Sequence, residues 1–75
     1  MKIEAEIDAR GLACPLPVLK LRKGLQSLES GAYLKMLADD PAASIDIPHF
    51  CNETGHILAD QSDEGSHQIY VVQHK

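Results

Sequence analysis

The chain has 75 residues, 44% apolar and 24% charged, with a formal net charge of −4. That length holds one domain, residues 1–75, with no room for a cofactor domain beside a substrate domain. The composition excludes disorder, and the acidic balance speaks against nucleic-acid binding, which needs a basic footprint.

Ile3, Ala5 and Ile7 alternate with Glu4, Glu6 and Asp8. This period of two predicts a first strand with one wet face. The same charges leave no apolar run for a signal peptide. No apolar stretch approaches the ~18 residues of a membrane span. A cytoplasmic protein with reduced thiols and no membrane partner is expected.

Arg10-Gly11 breaks the strand, and from Pro15 a helical period takes over. Val18, Leu21, Leu25 and Leu28 form one apolar stripe, and Gly31 fits the stop. Gly24 inside this helix should cost about 1 kcal/mol against Ala. Only close packing on the sheet would account for it. Ala32 to Ala38 reads as a second strand, so strand, helix and strand form a parallel crossover unit. Asp39-Asp40-Pro41 ends it. The two carboxylates read as capping or turn formers, because adjacent side chains at a strand end diverge.

Ser44 to Thr54 predicts a second helix, with Asp46 as N-cap and Pro48 in its first turn. Ile45 would staple against Phe50, while Ile47, Phe50 and Cys51 share one face. Gly55 is a C-terminal breaker. His49, Cys51 and His56 match no familiar metal spacing, so no metal is expected. Two further strands, His56 to Ser62 and His67 to His74, flank a hairpin loop at Asp63-Glu64-Gly65-Ser66. His67 and His74 read as solvent-facing. The order β-α-β-α-β-β predicts an α/β (α+β) fold. This is a two-layer sandwich with two helices on one face of a four-stranded mixed sheet.

The chemistry concentrates in Asp8-Ala9-Arg10-Gly11-Leu12-Ala13-Cys14-Pro15-Leu16-Pro17. Pro15 pushes Cys14 toward an extended conformation and is itself suited to the first helical position. Cys14 would therefore cap the first helix. There the macrodipole and free amides favour thiolate over thiol, and a persulfide anion equally. Arg10 could add to that field. A lone cysteine is more often a small buried hydrophobe, which is the reading for Cys51 beside Phe50. The double proline favours a presented sulfur at Cys14.

On the outward face of this helix, Leu16, Lys20 and Lys23 read as a docking surface near Cys14. Five of the seven cations lie in the first 23 residues, which suits an acidic partner protein.

The pattern Asp8-x-x-Gly11-x-x-Cys14-Pro15-x-Pro17 after a first strand resembles the TusA/SirA-like sulfur carriers. So does Ala38-Asp39-Asp40-Pro41-Ala42 followed by Asp46-Ile47-Pro48-x-Phe50-Cys51. The resemblance implies sulfur carried as a persulfide on Cys14, with no cofactor beyond that covalent sulfur. It implies a cysteine desulfurase as donor and a downstream sulfur acceptor, serving tRNA 2-thiouridine synthesis or molybdenum-cofactor enzymes. Such a protein is a persulfide carrier rather than an independent multi-turnover enzyme. Leu16 stands where many relatives have an acidic residue, so the resemblance does not choose the acceptor.

Two other readings compete. One is a protein- or RNA-binding module like the carboxy-terminal domain of a translation initiation factor, disfavoured by only three aromatic side chains, Tyr33, Phe50 and Tyr70. The other is a Cys14/Cys51 redox switch, which needs Cα atoms within roughly 7 Å.

Overall fold

A computed structural model describes all 75 residues. The elements are β1 (Ile3–Asp8), α1 (Leu16–Gln26), β2 (Tyr33–Ala38), α2 (Ala43–Thr54), β3 (Ile57–Asp63) and β4 (Gln68–Gln73). The sheet order is β1-β2-β4-β3. β1 and β2 pair in parallel, and β4 pairs antiparallel with both β2 and β3. Two helices packed on a four-stranded mixed sheet is the architecture expected.

The core lies between the layers. From the sheet, Leu34, Met36, Ala38, Tyr70 and Val72 point inward and are fully buried. Leu21 and Leu25 of α1 and Ala43, Ile47, Phe50 and Cys51 of α2 cover them. Burying each large aliphatic side chain contributes roughly 1.5–3 kcal/mol. Pro17 joins the buried face of α1, where the apolar stripe had Val18 and Leu28. Those two are half-buried and pack at its margin.

Two helix boundaries move. α1 stops at Gln26 rather than running to Gly31, and the cap amide of Ser27 turns to the carbonyl of Leu25. α2 begins at Ala43, several residues before Asp46. The amide of Ala42 donates to Asp40 Oδ1 at 3.1 Å and that of Ala43 to the Asp40 carbonyl at 2.9 Å. Asp40 therefore does the capping assigned to Asp46, which lies inside the helix. The earlier start also turns Ile45 outward, 72% exposed, so it does not staple against Phe50. Pro48 then falls in the helix interior, where its missing N–H leaves the carbonyl of exposed Ser44 without its usual partner.

Gly24 has a packing reason. A Cβ built there would lie 2.8 Å from Leu34 Cδ1 and would also collide with Ile7 Cδ1. α1 crosses the sheet closely enough here that a Cβ needs the terminal methyls of Ile7 and Leu34 to move aside. Gly24→Ala should gain about 1 kcal/mol of helix propensity and lose a similar amount in moving those methyls. The expected result is a stability within about 1 kcal/mol of the parent in urea denaturation; a loss above about 2 kcal/mol would show that the methyls cannot move.

Candidate functional site

Parallel pairing of β1 with β2 sets Asp8 opposite Leu37, so both chains leave the same end of the sheet. The loop of residues 9–15 therefore lies against the loop of residues 39–42. Ala9 is buried and its amide donates to the Leu37 carbonyl at 2.8 Å. Gly11 turns the chain with φ +80°, a conformation glycine adopts at little cost. Its amide donates to Asp39 Oδ1 at 2.9 Å. The Cys14 amide donates to Asp40 Oδ2 at 2.6 Å.

Asp39 and Asp40 are thus turn formers, as expected, and they also hold the cysteine loop. The sequence carried a signal for this second role. Gly11 and Cys14 have amides with no partner in a helix or strand, and an acidic pair follows the neighbouring parallel strand.

Cys14 is exposed. It is not the cap of α1. The Leu19 amide donates to the Pro15 carbonyl at 3.2 Å, which makes Pro15 the cap and leaves Cys14 one residue outside. The Cys14–Pro15 peptide is cis. Pro17 occupies the second helical position and is anchored in the core.

The electrostatics of the sulfur also differ from expectation. Asp46, which lines the same groove, acts first in pushing the Cys14 thiol pKa up. Loss of solvation and the negative charges of Asp46 and Asp40 act in the same direction. The helix start does not compensate. Proline at 15 and 17 removes two donors, and the Leu16 amide is taken by the Ala13 carbonyl at 2.9 Å.

Arg10 is engaged elsewhere. Its Nε and Nη2 each lie 2.9 Å from a carboxylate oxygen of Asp8, and its amide donates to the same side chain at 3.0 Å. This fork holds the Asp8 carboxyl down at about 2. Its small stabilisation is present above the usual carboxylate range and is lost as pH falls toward 2. Arg10 thus braces the turn and adds nothing to the field at Cys14.

A groove of about 340 Å³ opens beside Cys14 between the helices, lined by Pro15, Val18, Arg22, Asp46 and Phe50 among others. The Arg22 guanidinium lies over the Phe50 ring, 5.7 Å from its centroid. On the outer side of α1, Leu16 and Leu19 are about half exposed, and Lys20 and Lys23 are exposed too.

Cys51 is free, buried among core residues, and its thiol is pushed up by desolvation. The histidines belong to no group that could hold a metal ion. His49 faces Glu53 at 3.9 Å, and His56 stacks on Phe50 at 5.8 Å. His67 Nδ1 meets the Ser66 hydroxyl. His74 is not free in solvent but packs its ring edge on His56 at 4.8 Å.

A family model described as Sulfurtransferase TusA matches residues 5–74. A sulfur carrier protein TusA from Pseudomonas putida is 42% identical over 72 residues, covering 96% of this chain and 90% of that one. Its counterpart from Pseudomonas syringae is 40% identical over 72 residues, covering 95% and 86%. The crystal structure of a SirA-like protein from Desulfitobacterium hafniense superposes with TM-score 0.75 at 26% identity, covering 95% of this chain and 99% of that one.

Asp40 ties two loops through one carboxylate. Asp40→Ala should cost about 1–2 kcal/mol in denaturant unfolding and speed hydrogen exchange at the Cys14 and Ala42 amides. Unchanged exchange at both amides would show that the loop is held by something else.

Proposed function

The chain belongs to the TusA sulfurtransferase family, and from that premise we propose that it is a sulfur carrier whose cargo rides as a persulfide on Cys14. The observation that supports this most is the contrast between its two thiols. Cys14 stands exposed at the mouth of a groove, while Cys51 is sealed in the core.

The transfer needs one exposed sulfur. Cys14 attacks the terminal sulfur of a donor persulfide, the donor's sulfur–sulfur bond breaks, and a new one forms on Cys14. The donor leaves with its cysteine reduced. Sulfur is carried covalently, so the reaction calls for neither metal nor cofactor. The donor is a cysteine desulfurase, and a second protein takes the sulfur onward. Two uses fit such a carrier: 2-thiolation of tRNA uridine and maturation of molybdenum-cofactor enzymes.

Each remaining site residue has a part. Pro15 and Pro17 fix how the chain enters α1, with Pro17 rooted in the core. Gly11 and the Arg10–Asp8 fork shape the turn before the cysteine. Leu16, Lys20 and Lys23 offer an apolar and basic face to acidic partners.

The competing readings gain no support. An RNA-stacking sheet needs exposed aromatics, yet Phe50 and Tyr70 are buried and Tyr33 is half-buried. A redox switch needs both thiols reachable, and Cys51 is not.

Incubation with a cysteine desulfurase and cysteine should add one sulfur, about 32 Da, to the Cys14 peptide. Cys14→Ser should melt like the parent and accept none. Absence of the gain, or a gain on Cys51, defeats the proposal. Charge reversal of Lys20 and Lys23 to Glu should slow loading roughly tenfold at low salt and less at high salt. Equal loading at all salts would remove that face from donor docking.

A further inference from the structure

We infer that the uncovered face of the sheet is a docking surface for a second copy of this chain, which lays the outer stripe of its α1 across it. The helices cover one face of the sheet only, and the other presents an apolar centre.

Strand alternation and register build that face. Leu34, Met36 and Ala38 of β2 are buried toward the helices, so Tyr33, Lys35 and Leu37 point the other way. Antiparallel pairing sets Gln73, Val71 and Ile69 of β4 beside them. Val71 is only 7% exposed yet lies outside the core between the layers. Tyr33, Leu37, Ile69 and Val71 thus form an apolar patch on the two central strands. The middle row of the face runs Glu6, Lys35, Val71, Asp60, with an exposed acid at each edge.

Charge selects the occupant. The four strands carry five acids and one lysine, a net −4 equal to that of the whole chain. α1 carries Lys20, Arg22 and Lys23 and no acid. Leu16, Leu19, Lys20 and Lys23 follow i, i+3, i+4 and i+7, one exposed stripe of that helix. Its leucines suit the apolar centre of the sheet, and its lysines suit the acidic edges. The lengths agree as well: eleven helical residues span about 16 Å and a six-residue strand about 20 Å.

The stripe and the patch belong to opposite layers of one molecule and cannot meet within it. Between two copies, sheet on sheet opposes −4 with −4, and helix on helix opposes lysine with lysine. Only helix on sheet pairs opposite charges, so the contact is head to tail. The overall −4 of each copy resists approach, so the contact is weak and forms at high concentration. It covers Leu16, Lys20 and Lys23 of one copy. On the sulfur-carrier reading that face docks the donor, so pairing and loading compete.

The full chain is followed from micromolar to millimolar concentration by sedimentation velocity and by amide chemical shifts. The sedimentation coefficient should rise toward the dimer value. Shifts should move together in residues 16–23, 33–37 and 69–73, a readout that needs no variant. A helix variant, Lys20→Glu with Lys23→Glu, and a sheet variant, Glu6→Lys with Asp60→Lys, are first checked by thermal melting. Each alone should stay monomeric. Mixed, they should form a one-to-one dimer and nothing larger, because one keeps its sheet and the other its α1.

A parent that stays monomeric at millimolar concentration overturns the self-pairing and leaves the sheet face to a foreign chain. Variants that each associate like the parent, or a mixture that stays monomeric while the parent associates, overturn the head-to-tail arrangement. None of these readouts uses a sulfur donor, so their failure leaves sulfur carriage intact. Excess helix variant that also carries Cys14→Ser should slow desulfurase loading of the parent. Loading at an unchanged rate overturns the competition alone, whereas no loading without the competitor refutes sulfur carriage instead.

Discussion

One carboxylate joins the two halves of the site. Asp40 accepts the Cys14 amide with one oxygen and the Ala42 amide with the other. It starts α2 and fixes the cysteine loop in the same act. This is possible because β1 and β2 run parallel, so the loop after each emerges at one end of the sheet. Ligand sites of open α/β sheets gather at the carboxyl ends of strands for the same reason. A carrier with no enclosed pocket uses that geometry to present a single side chain.

The presentation is steric more than electrostatic. Two prolines and a glycine shape the approach to α1, and the same prolines remove donors that would have faced the sulfur. What remains near Cys14 includes the carboxylates of Asp40 and Asp46 together with Arg22. Lys20 and Lys23 of α1 are exposed and do not line the groove beside Cys14.

Much of this was legible in the chain itself. Alternation in Ile3–Asp8 and the stripe through Leu21 and Leu25 are local patterns, and they located β1 and α1. The exposed Cys14 and buried Cys51 followed from their neighbours. What local pattern could not reach were contacts between segments far apart in sequence. The start of α2 depends on Asp40, which acts from outside the helix. Asp46, some 30 residues later, is brought to the same groove as Cys14 by the fold and pushes its thiol pKa up. The helix-dipole argument for Cys14 failed because it counted amides that proline lacks and ignored a carboxylate brought in by the fold. Gly24 was a visible anomaly whose cause, the δ-methyls of Ile7 and Leu34, lies on two different strands.

The strand order has a consequence for assembly of the molecule. β4 lies inside the sheet, between β2 and β3, although it follows both in the chain. Until it is in place, β2 has an open edge and β3 has no neighbour at all. Tyr70 and Val72, the centre of the core, arrive with it. Biosynthesis therefore delivers the keystone after the pieces it locks, and a nascent chain ending short of residue 68 has two helices with little sheet to rest on.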